Sequence, residues 1–300
     1  MGICSDGKRG CGVEEKERNK KLEHIRNVKD AVINSDKLKL NYPKPNQSAD
    51  AIFNFMTEFG HLQKALENKM LSPRYCKEDI KYLKIRGLEE IAFPMKCFCD
   101  INLHKLHEHI SWYGGYAIGF SKEYARRRGI QPITYINEKS MLAKDFRSAF
   151  SSALTILGEK DKNVDNMKNY LIHQLMYVKP VTGKTYNHSK EKHMKKCLTD
   201  EQEWRFVPSA AMMNRLKMKQ AIIEKSELDK SVLNLESNAL DGREECSILF
   251  EYSDIKYIMV MNEIELEKLH GVIKELDITE EEKMKLCTKV IVWNTWKGDL

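Results

Sequence analysis

The sequence predicts an α+β fold. Stretches of alternating apolar residues and stretches of helical spacing interleave along the chain, without the regular βαβ rhythm of a parallel sheet. No segment repeats, and 300 residues with 42% hydrophobic side chains suffice to bury a large core. The expected organisation is a helical N-terminal extension and linker over 1–48 and an α+β core over 49–215. A C-terminal helix and β-α-β segment over 216–300 complete the same domain.

The elements follow in order. In "EEKERNKKLEHIRNVKDAVINS" (14–35), Leu22, Ile25, Val28 and Val32 recur every three or four residues on a charged background, which predicts an amphipathic helix. Two prolines in "NYPKPNQS" then mark a linker. "AIFNF" (51–55) reads as a strand, and Phe59, Leu62, Leu66 and Met70 as one face of a helix closed by "SPRYCKED". "EEIAFPMKCFCDI" is a second strand, bent or at an edge where Pro94 lacks its N–H. In "NLHKLHEHISWYGG", Leu103, Leu106 and Ile110 mark a buried helical stripe. "YGGYAIGFS" is a third strand, "SKEYARRRG" a short helix ending at Gly129, and "QPITYIN" a fourth strand. Residues 140–176 read as two helices, and the basic "KPVTGKTYNHSKEKHMKKCLTD" as a loop or a poorly paired hairpin. "EQEWRFVP" is a strand ended by Pro208, and "MNRLKMKQAIIEKSELDKSVLNL" reads as helix. Strands "CSILFEY" and "IKYIMVM", helix "EIELEKLHGVIKEL" and strand "KVIVWN" close the chain.

Composition narrows the function. A charged fraction of 31% describes a soluble globular protein, and the absence of any run of about 18 apolar residues predicts no membrane helix. "MGICSDGKRGCG" has no signal-peptide core, and Asp6 breaks the myristoylation pattern, so a cytoplasmic location is expected. Eight scattered cysteines without a CxxC pair read as reduced thiols. A net charge of +6 permits a nucleic acid or an acidic protein as partner without requiring either.

"CFCDINLHKLHEH" (97–109) concentrates potential zinc ligands, but without the loop spacings of zinc ribbons or fingers. The expectation is therefore buried thiols with surface histidines, and no metal. "VTGKTYN" lacks the glycine spacing of a phosphate-binding loop, and no G-x-S-x-G, H-E-x-x-H or G-x-G-x-x-G occurs.

Five elements occur in order: PRY-C-x-E-D, P-M-x-C-F-C-D-I, H-x-x-x-YG-x-Y-x-IG-F-S-K-E, P-x-x-Y-I-N and E-W-R-[YF]-V-P. Over about residues 50–260 this pattern resembles the AbiGi family of bacterial abortive-infection (phage resistance) proteins. The resemblance implies a role in antiphage defence and a cognate toxin or antitoxin as partner. The family carries an antitoxin label, paired with a nucleotidyltransferase-like toxin.

The order of elements is also similar to ADP-ribosyltransferase folds, which implies a mixed, split sheet and NAD as cofactor. On that likeness Asn54 and Phe55 take the places of a ribose-binding His and the aromatic after it. Asn departs from the pattern, being shorter than His and unable to carry a proton. Glu201 and Glu203 match an E-x-E spacing that, on a strand, points both carboxylates to one face. Glu203 would steady the oxocarbenium-like cation as nicotinamide leaves, and Glu201 would orient the nucleophile. The competing reading pairs Glu203 with Arg205 on the same face. Tyr113 and Tyr116 flank the glycines of "YGGY", one of them to stack on nicotinamide, and His109 would contact a phosphate or act as acid/base. Ser121 and Arg205 complete the implied cofactor contacts.

Lys184, Lys192 and Lys195, near Tyr186, would grip a nucleic acid or acidic protein. Two functions follow from these readings. One is an NAD-dependent effector that modifies nucleic acid or protein. The other is a non-enzymatic antitoxin or sensor that binds a toxin partner or a phage component.

Overall fold

A computed structural model describes Pro45 and residues 47–155 and 162–298. The helix expected over 14–35 lies outside these residues. The strands are β1 (Ala51–Met56), β2 (Met70–Leu71), β3 (Arg74–Asp79), β4 (Glu90–Cys99), β5 (Tyr116–Ser121), β6 (Gln131–Pro132) and β7 (Thr134–Ile136). They continue as β8 (Val178–Pro180), β9 (Thr182–Asn187), β10 (Lys192–Cys197), β11 (Glu203–Phe206), β12 (Ile248–Leu249), β13 (Ile255–Val260) and β14 (Val290–Val292). The helices are α1 (Phe59–Asn68), α2 (Leu106–Tyr113), α3 (Lys122–Arg127), α4 (Met141–Thr155) and α5 (Lys162–Met176). Then come α6 (Ala210–Arg215), α7 (Lys230–Leu240), α8 (Glu263–Glu275), α9 (Glu280–Cys287) and α10 (Trp293–Trp296).

The fold is α+β around a mixed eight-stranded sheet in the order β14-β13-β5-β1-β4-β11-β6, with β3 also paired to β4. Within it β13 and β14 run parallel and the other pairs antiparallel. Strand β4 is shared by two wings. Ala92 exchanges both backbone hydrogen bonds with Ile222, and the Asp100 N–H reaches the Gln202 carbonyl, so the even-numbered positions face the β11 edge. By the alternation of a ladder, odd-numbered residues face the opposite edge. Two strands divide that edge, β3 over residues 90–95 and β1 at Cys99. Between them, beside Lys96 and Cys97, the sheet forks.

Apolar periodicity positions the layers. Ile52, Phe98, Ile118 and Phe120 on one face pack against Leu62, Ala65 and Leu66 of α1 and Leu269 and Ile273 of α8. On the other face, Ala51, Phe53, Cys99 and Ala117 pack against Leu106 of α2 and Trp293. The N-terminal half of β4, through Ile91, Phe93 and Met95, meets α4 and α5 in a separate cluster. Gly114 has φ +101, and a Cβ there would collide with the backbone of Met56. It is glycine because α2 turns into β5 against the end of β1.

Several elements differ from expectation. "RYCKED" is strand β3 rather than a helix terminus, with Arg74, Lys77 and Asp79 at the exposed positions. "QPITYIN" divides into β6, paired to β11, and β7, paired in parallel to β8. The basic segment is a regular hairpin, β9 on β10, with six paired positions from Lys192↔Asn187 to Cys197↔Thr182. The helix expected from residue 213 is interrupted, because Lys217 adopts φ 56 and Asp229 caps a new helix. "CSILFEY" contributes only Ile248–Leu249, and α9 begins at a Thr279–Glu282 capping box. Among the described residues no helix is long and apolar enough to cross a membrane.

Candidate functional site

The fork opens a cavity of about 320 Å³ lined by Asn54, Phe55, His109, Tyr113, Glu201 and Glu203, among others. Asn54 is 4% exposed, and its Nδ2 donates to the Cys97 carbonyl at 2.8 Å, across the gap where β1 has parted from β4. Its Oδ1 is buried without a partner.

Beside the gap lies a buried ionic network. The Arg205 Nε donates to Glu203 Oε1 at 2.5 Å, and its other nitrogens reach the Met176 carbonyl at 2.8 Å and Glu78 Oε1 at 3.0 Å. Lys179, on β8, bridges Glu203 Oε2 at 2.8 Å and Glu201 Oε2 at 2.9 Å. Lys196, on β10, holds Glu201 Oε1 at 3.0 Å, and its ammonium sits over the rings of Trp112 and Tyr113. The Tyr113 hydroxyl donates to Glu201 Oε1. The Tyr135 hydroxyl accepts the Glu203 N–H at 3.0 Å. Three carboxylates thus face three cations, and paired charges are the form in which ions survive burial.

The electrostatics follow from this pairing. Burial opposes ionisation of Glu203, yet Arg205 and Lys179 overcome it and hold the carboxyl well below the usual range. Glu201 is lowered in the same way, against burial, by Lys179 and then Lys196. Burial, reinforced by Lys196, pushes His109 down from 6.5 to about 3, so its imidazole is neutral. Burial and then Glu203 raise the Cys97 thiol well above its ordinary value, which leaves it protonated and a poor nucleophile.

Of the residues singled out from sequence, Asn54, Phe55, His109, Tyr113, Glu201 and Glu203 line one cavity. Arg205 is fully buried and bonded to Glu203, the competing reading of that pair. Glu201 and Glu203 are not neighbours on one strand: Glu201 ends a turn, Gln202 adopts φ 41, and Glu203 opens β11. His109 is not a surface residue but is packed between Phe55 and Tyr113, with ring centroids at 4.9 and 4.6 Å. Tyr116 and Ser121 lie elsewhere, the first donating to Glu265 at 2.5 Å and the second capping α3. Lys184, Lys192 and Lys195 are exposed on the hairpin. Among the described residues no three His, Cys, Asp or Glu side chains converge as metal ligands.

Lys179, Glu78 and Tyr135 are the parts sequence reading missed. Lys179 sits in a three-residue strand with no pattern of its own, whereas Glu78 and Tyr135 lay within the quoted motifs PRY-C-x-E-D and P-x-x-Y-I-N.

Comparison with known proteins gives the family. A family model whose description reads in part "abortive phage resistance protein AbiGi, antitoxin" matches residues 68–261. An "Abortive phage resistance protein AbiGi" of Lactococcus lactis subsp. cremoris is 32% identical over 252 residues, covering 76% of this chain and 98% of that protein. The chain belongs to the AbiGi family. The motifs that carry the resemblance supply β3, β4, α2 with β5, β6 with β7, and β11, so the AbiGi pattern surrounds the fork. No solved structure matches, and the likeness to ADP-ribosyltransferases gains no support from that comparison.

Proposed function

We propose that this AbiGi chain is a non-enzymatic, antitoxin-type component of an abortive-infection pair, acting by binding its partner. The pairing of Glu203 carries this reading. A carboxylate that steadies a developing cation has to present its charge to the substrate. Both oxygens of Glu203 are instead engaged by Arg205 and Lys179 inside the protein.

The same network anchors the hairpin, because Lys196 of β10 is held by Glu201. Cross-strand pairing then puts Lys184, Tyr186, His193 and Lys195 on one face of β9–β10, directed away from Thr185 in the cavity wall. This cationic face suits an acidic protein surface. The antitoxin description of the family model supports the reading.

The test is co-expression of the full chain with a toxin encoded beside it, together with incubation of the purified chain with labelled NAD. The expected result is growth rescue and co-purification, weakened by Lys195→Glu, with no release of nicotinamide. Glu203-dependent nicotinamide release would overturn it in favour of an NAD-using transferase. That second reading is favoured by one observation, the convergence of Asn54, Phe55, His109, Tyr113, Glu201 and Glu203 on a single cavity.

A further inference from the structure

Phe55, Arg74, Cys76, Lys96 and Tyr113 line the fork cavity and also line a second cavity of about 670 Å³ on the α1 and α7 side. Lys96 and Arg74 therefore border both spaces. Unlike Lys179 and Lys196, Lys96 has no carboxylate within ion-pair distance among the described residues. Lys96 is half-buried, and desolvation lowers its pKa, as expected of an ammonium without a counter-ion. Arg74, on the adjoining strand, spends one nitrogen on the neutral Asn234 Oδ1 at 3.2 Å. The acidic residue of the second cavity, Asp241, is already paired to Lys64. Two cations with no carboxylate partner among the described residues thus flank the fork.

We infer that the fork binds a small phosphate-bearing ligand. Its phosphate sits between the Lys96 ammonium and the Arg74 guanidinium, which match a phosphate as point charge and planar fork. Cavities of this size hold nucleotide-sized molecules. The inference goes beyond the partner-binding reading, which uses the outward face of the β9–β10 hairpin, and assigns a ligand to the fork itself.

The test is calorimetry on the full chain, without any partner, using AMP, adenosine and inorganic phosphate as probes. Saturable AMP binding is expected, with adenosine weaker by about tenfold or more. Lys96→Met should cost a similar factor while leaving the unliganded melting temperature unchanged or higher, because it removes an unpaired charge. Arg74→Gln, at an exposed position, gives a second reading independent of the core. Absence of saturable binding by both AMP and phosphate would overturn the inference, and so would AMP binding indifferent to Lys96→Met and Arg74→Gln. Either failure leaves the toxin co-purification and nicotinamide assays unaffected, so the two proposals fail separately.

Discussion

Glu203 and Arg205 share one strand face, and the spacing of two that puts them there was plain in "EQEWR". Their further partners were not, because Glu78 and Lys179 come from strands distant in sequence. Removing one charge from such a group strands the others. Glu203→Gln is expected to cost about 3–5 kcal/mol in urea unfolding, and adding Arg205→Met should recover much of it. The depressed pKa of Glu203 also fixes a sign: its contribution is complete above the unfolded value of 4.5 and declines as pH falls below it.

His109 acts in an earlier window. Its folded pKa of about 3 lies below 6.5, so the unfolded chain takes up the proton first and stability falls as pH drops between them. The slope approaches about 1.4 kcal/mol per pH unit. His109→Phe, with Phe55 and Tyr113 as neighbours, should flatten the urea midpoint between pH 6.5 and 4.5.

At the scale of elements, legibility tracked apolar content. α1 buries one apolar stripe, and β1 and β5 are apolar on both faces, so all three were readable. The hairpin is polar on both faces, with Lys184 and Lys195 outward and Gly183 and Thr185 inward, so no alternation marked it as paired. Helix α9 was hidden for a related reason, since its short charged sequence buries only Leu286, although the T-x-x-E signature stood at its start. Lys184 and Lys195 lie directly opposite, and like charges so placed destabilise a pair of strands. Lys184→Glu is therefore expected to raise stability by about 0.2–1 kcal/mol while weakening capture of an acidic partner. Thermal melts and a pull-down measure the two effects, which a purely structural hairpin would not separate.

For the whole molecule, the sequence conveyed the class, α+β with a mixed sheet, because the order of helices and strands excludes a repeating βαβ architecture. It did not convey that β4 serves two wings. That depends on which edge of β4 each distant strand occupies, and edge choice leaves no local trace in composition. The wings are joined by partners far apart in the chain: Cys99 of β4 opposes Phe53 of β1 and Glu203 of β11. A fragment ending at Cys197 lacks Glu201, Glu203 and Arg205, leaving Lys179 without a carboxylate on β11. Such a fragment should be digested rapidly by a nonspecific protease under conditions where the full chain resists.

The timing of synthesis follows from the same shared strand. β4 ends at Cys99, but its second edge stays empty until β11, Glu203–Phe206, has emerged. Folding commitment is thus deferred until β11 is made, and a chain stalled before Phe206 is left with that edge open.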